Sequence, residues 1–368
     1  MLPIFMLSIL MGMTLVLSGC TGPMMQHAEQ ESTPEGEASI KVGIMFPLSG
    51  DVGSYGEDAK RAVMLAKQDA GLDNVELIFE DSTCDSTAAV SAASKLISVD
   101  KVQVIIGEMC SGPTLAAAPV AEGQHVVLVS PSATSPDITD AGDYVFRTIP
   151  TDAEQGDFGA RLVYDKGFRK LAVLYSMEDY GTGFKSVLDD VFPALGGEIV
   201  ASETFARGDL DLRTQLSKIK FSGADALYII TNAPDSAVAA LKQVVELGME
   251  QTVFMPEALK SDQVLNNAAG SAEGVYFTTV SSGSEAFLSH YKEMFGIEPG
   301  TFAAQSYDAY TAVSEVLKQG ARSGEEIKDA LYDVSFQGAT GHIDFDANGD
   351  VGGNYEVYVV EDGTFVKQ

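Results

Sequence analysis

From Ile40 onward, short apolar runs rich in valine and isoleucine alternate with longer stretches whose apolar residues recur at helical spacing. Runs that are apolar at nearly every position suit strands covered on both faces, and the intervening stretches suit the helices that cover them. Strands are expected at 40–48, 75–81, 102–108 and 126–131, with helices near 57–70, 86–99 and 113–122, which together make one doubly wound parallel domain. Residues 144–150 read as a strand crossing to a second domain of the same class, with strands at 171–176, 198–205, 226–231, 253–256 and 275–280. The stretch 285–333 is helical in pattern, including 302–319, after which 343–345 and 355–360 alternate like antiparallel strands. No repeat recurs at a period of about 20 to 50 residues, which disfavours a solenoid.

Ahead of this rhythm the pattern differs. No charged side chain occurs from Met1 to Gly19, and the apolar run is too short for a typical membrane span, so 1–19 reads as an export signal. Leu17-Ser18-Gly19-Cys20 looks like a lipobox, in which small residues admit a peptidase and the Cys20 thiol receives a diacylglyceryl group. The Lys or Arg that usually opens such a signal does not stand here, which points to a start upstream. Residues 20–39 hold Pro, Gly, Ser, Thr and Glu with few large apolar side chains, and read as a flexible tether behind the lipidated cysteine. The alternative is a plain membrane anchor; either reading places the remainder outside the cytoplasm, on the outer face of the cell membrane.

Composition narrows the function. The 368 residues, 45% hydrophobic and with 36 glycines, suffice for two packed domains. Acidic residues outnumber basic ones 53 to 23, and the formal charge of −30 repels phosphate backbones, so nucleic acid is not an expected partner. With Cys20 lipidated, Cys84 and Cys110 remain as an even pair in an oxidising compartment, and a disulfide is expected. Two cysteines without nearby histidines would leave a metal underfilled.

In open α/β sheets ligands bind beyond the carboxyl ends of the strands, so the loops there carry the candidate chemistry. After the first strand comes Pro47-Leu48-Ser49-Gly50-Asp51-Val52-Gly53-Ser54-Tyr55-Gly56, small residues with one aromatic ahead of a helix. Glu80-Asp81-Ser82-Thr83-Cys84-Asp85 follows the second strand. Gly107-Glu108-Met109-Cys110-Ser111-Gly112-Pro113 follows the third, with Ser111 near the cap of a helix whose free amides attract a carboxylate. Ser130-Pro131-Ser132-Ala133-Thr134-Ser135-Pro136 follows the fourth and offers N–H and O–H donors to the same crevice.

These segments, with Phe146-Arg147-Thr148 and Glu178-Asp179-Tyr180-Gly181-Thr182-Gly183-Phe184, resemble in order and spacing the type I periplasmic binding proteins. The likeness is strongest to the branched-chain amino-acid (Leu/Ile/Val) binding group of ABC transporters, and spans nearly the whole mature chain. It implies an α/β fold of two doubly wound parallel-sheet lobes joined by a three-strand hinge. The N-terminal lobe would comprise 40–151 plus 283–353 and the C-terminal lobe 152–282 plus 354–368. The resemblance also implies the Cys84–Cys110 bridge. Carried over by position, it implies that Ser111, Ala133 and Thr134 hold a ligand α-carboxylate with Ser132 close by, and that Glu257 faces the α-ammonium, with Asp262 a nearby substitute. Tyr55 and Tyr180 would close on the ligand from opposite lobes. A further aromatic of the family has no counterpart, because Thr231-Asn232-Ala233-Pro234 occupies its loop.

The function so implied is an extracytoplasmic lipoprotein that binds a free amino acid, branched-chain or otherwise aliphatic, and delivers it to the permease subunits of an ABC importer. It would be monomeric, without cofactor, and not an enzyme. Simpler roles stay open: Ser111 and Thr134 as helix caps, Glu257 as a loop acid, the tyrosines as lid packing. A sensory module for another small carboxylate, amide or aromatic amino acid would use the same fold. An enzyme would need a titratable pair over the cleft, and Glu257 has no evident partner.

Asp344-Phe345-Asp346-Ala347-Asn348-Gly349-Asp350 starts like a calcium loop, but Tyr355 stands where the bidentate acid belongs, so a hairpin turn is expected and no metal is assigned. The histidines form no triad pattern, and no phosphate-binding Gly-Lys-Ser/Thr loop occurs. Asp308 is read either as an orienting group near a hinge or as part of a solvated helix face.

Overall fold

The computed structural model describes Ser39–Gln368; the expected signal, Cys20 and all but the end of the tether lie outside the described residues. The chain begins with β1 (Ile40–Phe46), α1 (Gly53–Ala70), β2 (Val75–Asp81), α2 (Ser86–Lys95), β3 (Val104–Gly107), α3 (Ser111–Glu122), β4 (Val127–Ser130) and β5 (Val145–Arg147). A second series follows: α4 (Asp152–Asp165), β6 (Lys170–Ser176), α5 (Asp179–Ala194), β7 (Glu198–Phe205), α6 (Arg213–Lys220), β8 (Ala226–Ile230), α7 (Pro234–Glu246), β9 (Thr252–Met255), α8 (Asp262–Ala268) and β10 (Tyr276–Val280). The remainder is α9 (Glu285–Phe295), α10 (Ala303–Lys318), α11 (Gly324–Tyr332), β11 (Ser335–Gln337), β12 (His342–Asp344), β13 (Tyr355–Glu361) and β14 (Thr364–Lys367).

Two sheets result. The five-stranded sheet runs β2-β1-β3-β4-β5, all parallel, and the seven-stranded sheet runs β14-β13-β10-β9-β8-β6-β7. Stripped of its antiparallel edge β13–β14, the second sheet repeats the strand order of the first. Side-chain alternation explains why each sheet is covered twice. Val42, Ile44 and Phe46 of β1 pack with Ala59 and Val63 of α1 and with Tyr310 and Val313 of α10, whereas Met45 turns to the alanines of α2 and α3. Likewise Leu227 and Ile229 of β8 face α6 and α7, and Tyr228 and Ile230 face α4 and α5.

Several expectations need revision. Residues 144–150 do not form a strand shared between domains: only Val145–Arg147 is extended, and it pairs with β4 as the edge of the first sheet. The chain then passes through 148–151 into α4, which packs on α5 and β10. It returns after β10 to α9 and α10 on α1, and passes a third time between β12 and β13. The passages are tied laterally. Thr148 Oγ1 donates to Gln305 O (2.9 Å), Gln305 Nε2 donates to Ser281 O (2.9 Å), and Tyr355 OH donates to Thr151 O (3.3 Å).

The segment between β12 and β13 is not a hairpin turn, since β12 pairs with β11 and β13 with β10. Its carboxylates are committed to protein partners. Asp346 accepts the backbone N–H of Asn348 (2.8 Å) and Asp350 (3.0 Å), while Asp350 binds Arg147. Asp308 is not on a solvated face: it is buried and accepts Ala339 N–H (2.6 Å), Thr340 N–H (2.9 Å) and Thr340 Oγ1 (2.6 Å), and burial pushes its carboxyl up to about 6.

Cys84 and Cys110 are bonded, with Cα atoms 5.7 Å apart, and link the loop after β2 to the start of α3. The bridge spans 26 positions, and closing such a loop stabilises by about 3.5 kcal/mol in the chain-entropy model. Cys84→Ser with Cys110→Ser is therefore expected to lower Tm by roughly 5 °C for a chain of this size, read by calorimetry. A drop under about 1 °C would mean that packing alone holds these loops.

Candidate functional site

Each sheet reverses its winding between two neighbouring strands, β1/β3 in one and β6/β8 in the other, and such switch points leave a crevice at the carboxyl ends. Both crevices open on one small cavity. Pro47, Val52 and Tyr55 reach it after β1, Met109, Cys110 and Ser111 after β3, and Ser132 after β4. From the other sheet come Tyr180, Asn232, Glu257 and Ala258, and Phe302 closes the remaining side.

One device aims the two tyrosines. Tyr55-Gly56 lies in the first turn of α1 and Tyr180-Gly181 in the first turn of α5. A Cβ on Gly56 would stand 2.0 Å from Pro47 O, and one on Gly181 would stand 2.1 Å from Ser176 O. Only glycine lets each helix start press onto the carbonyl that ends its strand, which carries the neighbouring tyrosine to the cleft. Gly181 and Gly183 both lie within α5. Tyr55 also meets Phe302 edge-on, with ring centroids 5.6 Å apart.

The cavity is polar at opposite ends. On one side Ser111 is the first residue of α3, where backbone N–H groups and the helix dipole favour an anion. Its hydroxyl accepts Ser135 N–H (3.2 Å), and Ser132 Oγ donates to Met109 O (2.8 Å). Beneath this loop, buried Glu108 accepts Ser82 Oγ (2.6 Å) and Cys110 N–H; burial raises its carboxyl to about 7, and these bonds offset part of that rise. On the other side Glu257 is buried, and neither its Oε2 nor Tyr180 OH makes a hydrogen bond within the described residues. Burial raises Glu257 to about 7, its own backbone N–H, Gln155 and Tyr180 offset part of that rise, and burial raises Tyr180 with Glu257 as the next cause. One end therefore presents donors and the other an unmatched acceptor, with Val52, Met109, Ala258 and Phe302 as apolar wall between them.

Of the residues expected from the sequence, Tyr55, Ser111, Ser132, Tyr180 and Glu257 come together on this cavity. Ala133 and Thr134 stand behind its wall, fully buried: Ala133 N–H donates to Ser130 Oγ (3.0 Å), and Thr134 Oγ1 donates to Asp152 Oδ2 (2.9 Å). Phe302, Met109 and Val52 also line it, and the sequence does not single them out, because an apolar residue in such a pattern reads as core. Asn232 occupies the loop that lacks the expected aromatic, and its Oδ1 accepts from Arg207 Nε (2.8 Å).

A profile of the family described as periplasmic binding protein matches residues 39–364. The chain belongs to the periplasmic binding protein family. It is 27% identical over 337 residues to the leucine-, isoleucine-, valine-, threonine-, and alanine-binding protein of Pseudomonas aeruginosa, covering 88% of this chain and 90% of that one. The substrate-binding protein of a branched-chain amino acid transporter from Streptococcus pneumoniae, solved with isoleucine, superposes with a TM-score of 0.80 at 28% identity, covering 90% of this chain and 100% of that one. A solute-binding protein of an ABC transporter from Rhodopseudomonas palustris, solved with 3,4-dihydroxybenzoic acid, gives 0.81 at 27% identity, covering 90% and 96%.

Like its relatives, this periplasmic binding protein has two lobes, and the cleft between them is bridged. Tyr55 OH donates to Ala258 O (2.6 Å). Arg207, after β7, donates through Nη2 to Asp51 Oδ1 (3.1 Å) in the loop after β1, while Glu178 Oε2 lies 3.6 Å from its Nε. These contacts join loops at the carboxyl ends of both sheets.

Proposed function

We propose that this protein binds a free aliphatic amino acid, of the branched-chain class, between its lobes and delivers it to the permease of an ABC importer. One observation carries the reading: across a small apolar cavity, the N-terminus of α3 at Ser111 faces the unpaired carboxylate oxygen of Glu257. A zwitterion matches both ends, its carboxylate at the helix start and its ammonium at Glu257, while Val52, Met109 and Phe302 take an aliphatic side chain. Tyr55 and Tyr180 close over it, and Ser132 lines the carboxylate end. Ala133 and Thr134 act from behind, shaping the donor loop. No bond in the ligand is broken, so the protein is a carrier rather than an enzyme.

The lobes are 40–151 plus 283–353 and 152–282 plus 354–368, moving as a hinge about the passages near Thr151, Ser282 and Asn354. Ligand stabilises the closed arrangement by touching both lobes at once. The mature chain is held outside the cytoplasm by lipid on Cys20, and acts as a monomer.

Purified residues 21–368 should be screened by thermal shift against the standard amino acids, their amides and small aromatic acids. Ligand at 100 times its Kd stabilises by about 2.7 kcal/mol, well within reach of the method. Aliphatic amino acids are expected to give the largest shifts. A shift only from acids without an amine, such as dihydroxybenzoate, would replace this reading with an aromatic-acid carrier.

A further inference from the structure

The wall between the two ends of the cavity is not wholly apolar. Asn232, in the loop between β8 and α7, shares that wall with Val52, Met109 and Phe302. Its loop is firmly placed: Thr231 is fully buried, its Oγ1 accepts Ala233 N–H (3.1 Å), and Pro234 starts α7.

The partner of Asn232 decides which way its amide points. Asn232 Oδ1 accepts from Arg207 Nε (2.8 Å). A guanidinium only donates, so the amide oxygen must face Arg207 and the NH2 group is turned away from it. Arg207 is itself held from two further sides: its Nη2 donates to Asp51 Oδ1 (3.1 Å), and Glu178 Oε2 lies 3.6 Å from its Nε. Ser176 Oγ in turn donates to Glu178 Oε1 (2.9 Å). Asn232 lines the cavity and Arg207 does not, and Asn232 Nδ2 makes no hydrogen bond among the described residues. In an open cleft water satisfies such a donor; once the lobes close on a ligand, the ligand must.

We propose that Asn232 selects an amino acid whose short side chain carries an acceptor oxygen, as a β-hydroxyl does, and that Arg207 is the positioning residue that aims the amide. This rests on the amino-acid reading above and narrows it. The ligand carboxylate and ammonium already have places at Ser111 and Glu257, so the group left for Asn232 is the side chain. Threonine and valine have the same shape and exchange a hydroxyl for a methyl, so their relative affinity reads Asn232 with size held constant. In a wholly apolar cavity the hydroxyl would lose its water and gain nothing, which costs threonine about tenfold to a hundredfold. A hydrogen bond from Asn232 Nδ2 returns most of that loss.

Isothermal titration of the mature protein with threonine and with valine tests this. In the wild type, threonine should bind less than tenfold more weakly than valine, or more tightly. Asn232→Leu removes the donor and leaves Arg207 its two carboxylate neighbours; the preference for valine over threonine should then rise at least tenfold. Arg207→Met frees the amide to turn over and should raise the same preference about threefold or more, although Arg207 touches no ligand. A wild-type preference for valine of tenfold or more overturns the proposal, and needs no variant to fold. A smaller rise in Asn232→Leu, with both ligands weakened alike, overturns it too and makes Asn232 part of the loop frame. A ratio moved by Asn232→Leu and not by Arg207→Met overturns the positioning role of Arg207. Leucine binding without measurable binding of threonine or valine would overturn this inference and leave the amino-acid reading standing. Binding only of ligands that lack an amine would overturn both.

Discussion

Glu257→Gln is expected to cost at least about a hundredfold in amino-acid affinity while leaving the unliganded protein as stable as before, or more so. The side chain keeps its shape and loses its charge. Truncating or neutralising one partner of a buried, hydrogen-bonded charge pair costs about 2–5 kcal/mol, and a hundredfold corresponds to about 3 kcal/mol. Stability moves the other way. The folded pKa of Glu257 lies above its ordinary value, at about 7, so its favourable contribution is complete below about pH 4.5 and is lost as pH rises through 7. Above pH 7 the fold carries the cost of an ionised, buried carboxylate. Replacing it with an amide relieves that cost, so the unliganded variant should melt no lower than the wild type at pH 8. Titration calorimetry at pH 8 and thermal melts at pH 5 and pH 8 separate the two effects. Unchanged affinity would remove Glu257 from the ligand site; lost affinity with a lowered Tm at pH 8 would make it a structural residue instead.

The same contrast explains what the sequence could reveal. Strands such as Val104–Gly107 and Val127–Ser130 are buried on both faces, so they read directly as uninterrupted apolar runs. Loop residues after those strands point to the site for a topological reason, and Ser111, Ser132, Tyr55, Tyr180 and Glu257 do meet there. What stayed hidden depends on distant pairing. Thr134 was legible as a hydroxyl near the crevice, but not as a residue whose hydroxyl is taken by Asp152, 18 positions on. Phe302 joins the wall only because the chain returns to the first lobe ahead of α10. β12 and β13 were legible as strands, yet their partners were not, since alternation reports a face and not a neighbour. Arg147, within the Phe146-Arg147-Thr148 motif, gave no sign of being wholly buried, because an arginine reads as surface until its partner is known.

Arg147→Ala is therefore expected to be among the most damaging single changes in the chain. The guanidinium is fully buried and donates through Nε to Asp350 Oδ1, through Nη2 to Asp350 Oδ2 (2.8 Å) and Thr139 Oγ1 (2.6 Å), and through Nη1 to Ser135 O (2.8 Å). It thereby clamps the segment ahead of β13 to the edge strand β5 and to the end of the donor loop. Removing one partner of a buried ion pair costs about 3–5 kcal/mol, because the other charge is left uncompensated. For a chain of this length that is a fall of roughly 5 °C in Tm, out of a total stability of only about 5–15 kcal/mol. Asp350→Leu should cost a similar amount by stranding the arginine. Arg147→Met combined with Asp350→Leu removes both charges of this pair and should recover much of the loss, so the double variant should melt above either single one. Simple additivity would mean that the two side chains stabilise the protein through separate contacts. Because Arg147 also holds Ser135 O, whose N–H meets the Ser111 hydroxyl, ligand affinity should weaken in the single variant even at temperatures where it is fully folded. Stability and binding would then be linked through one side chain that touches no ligand.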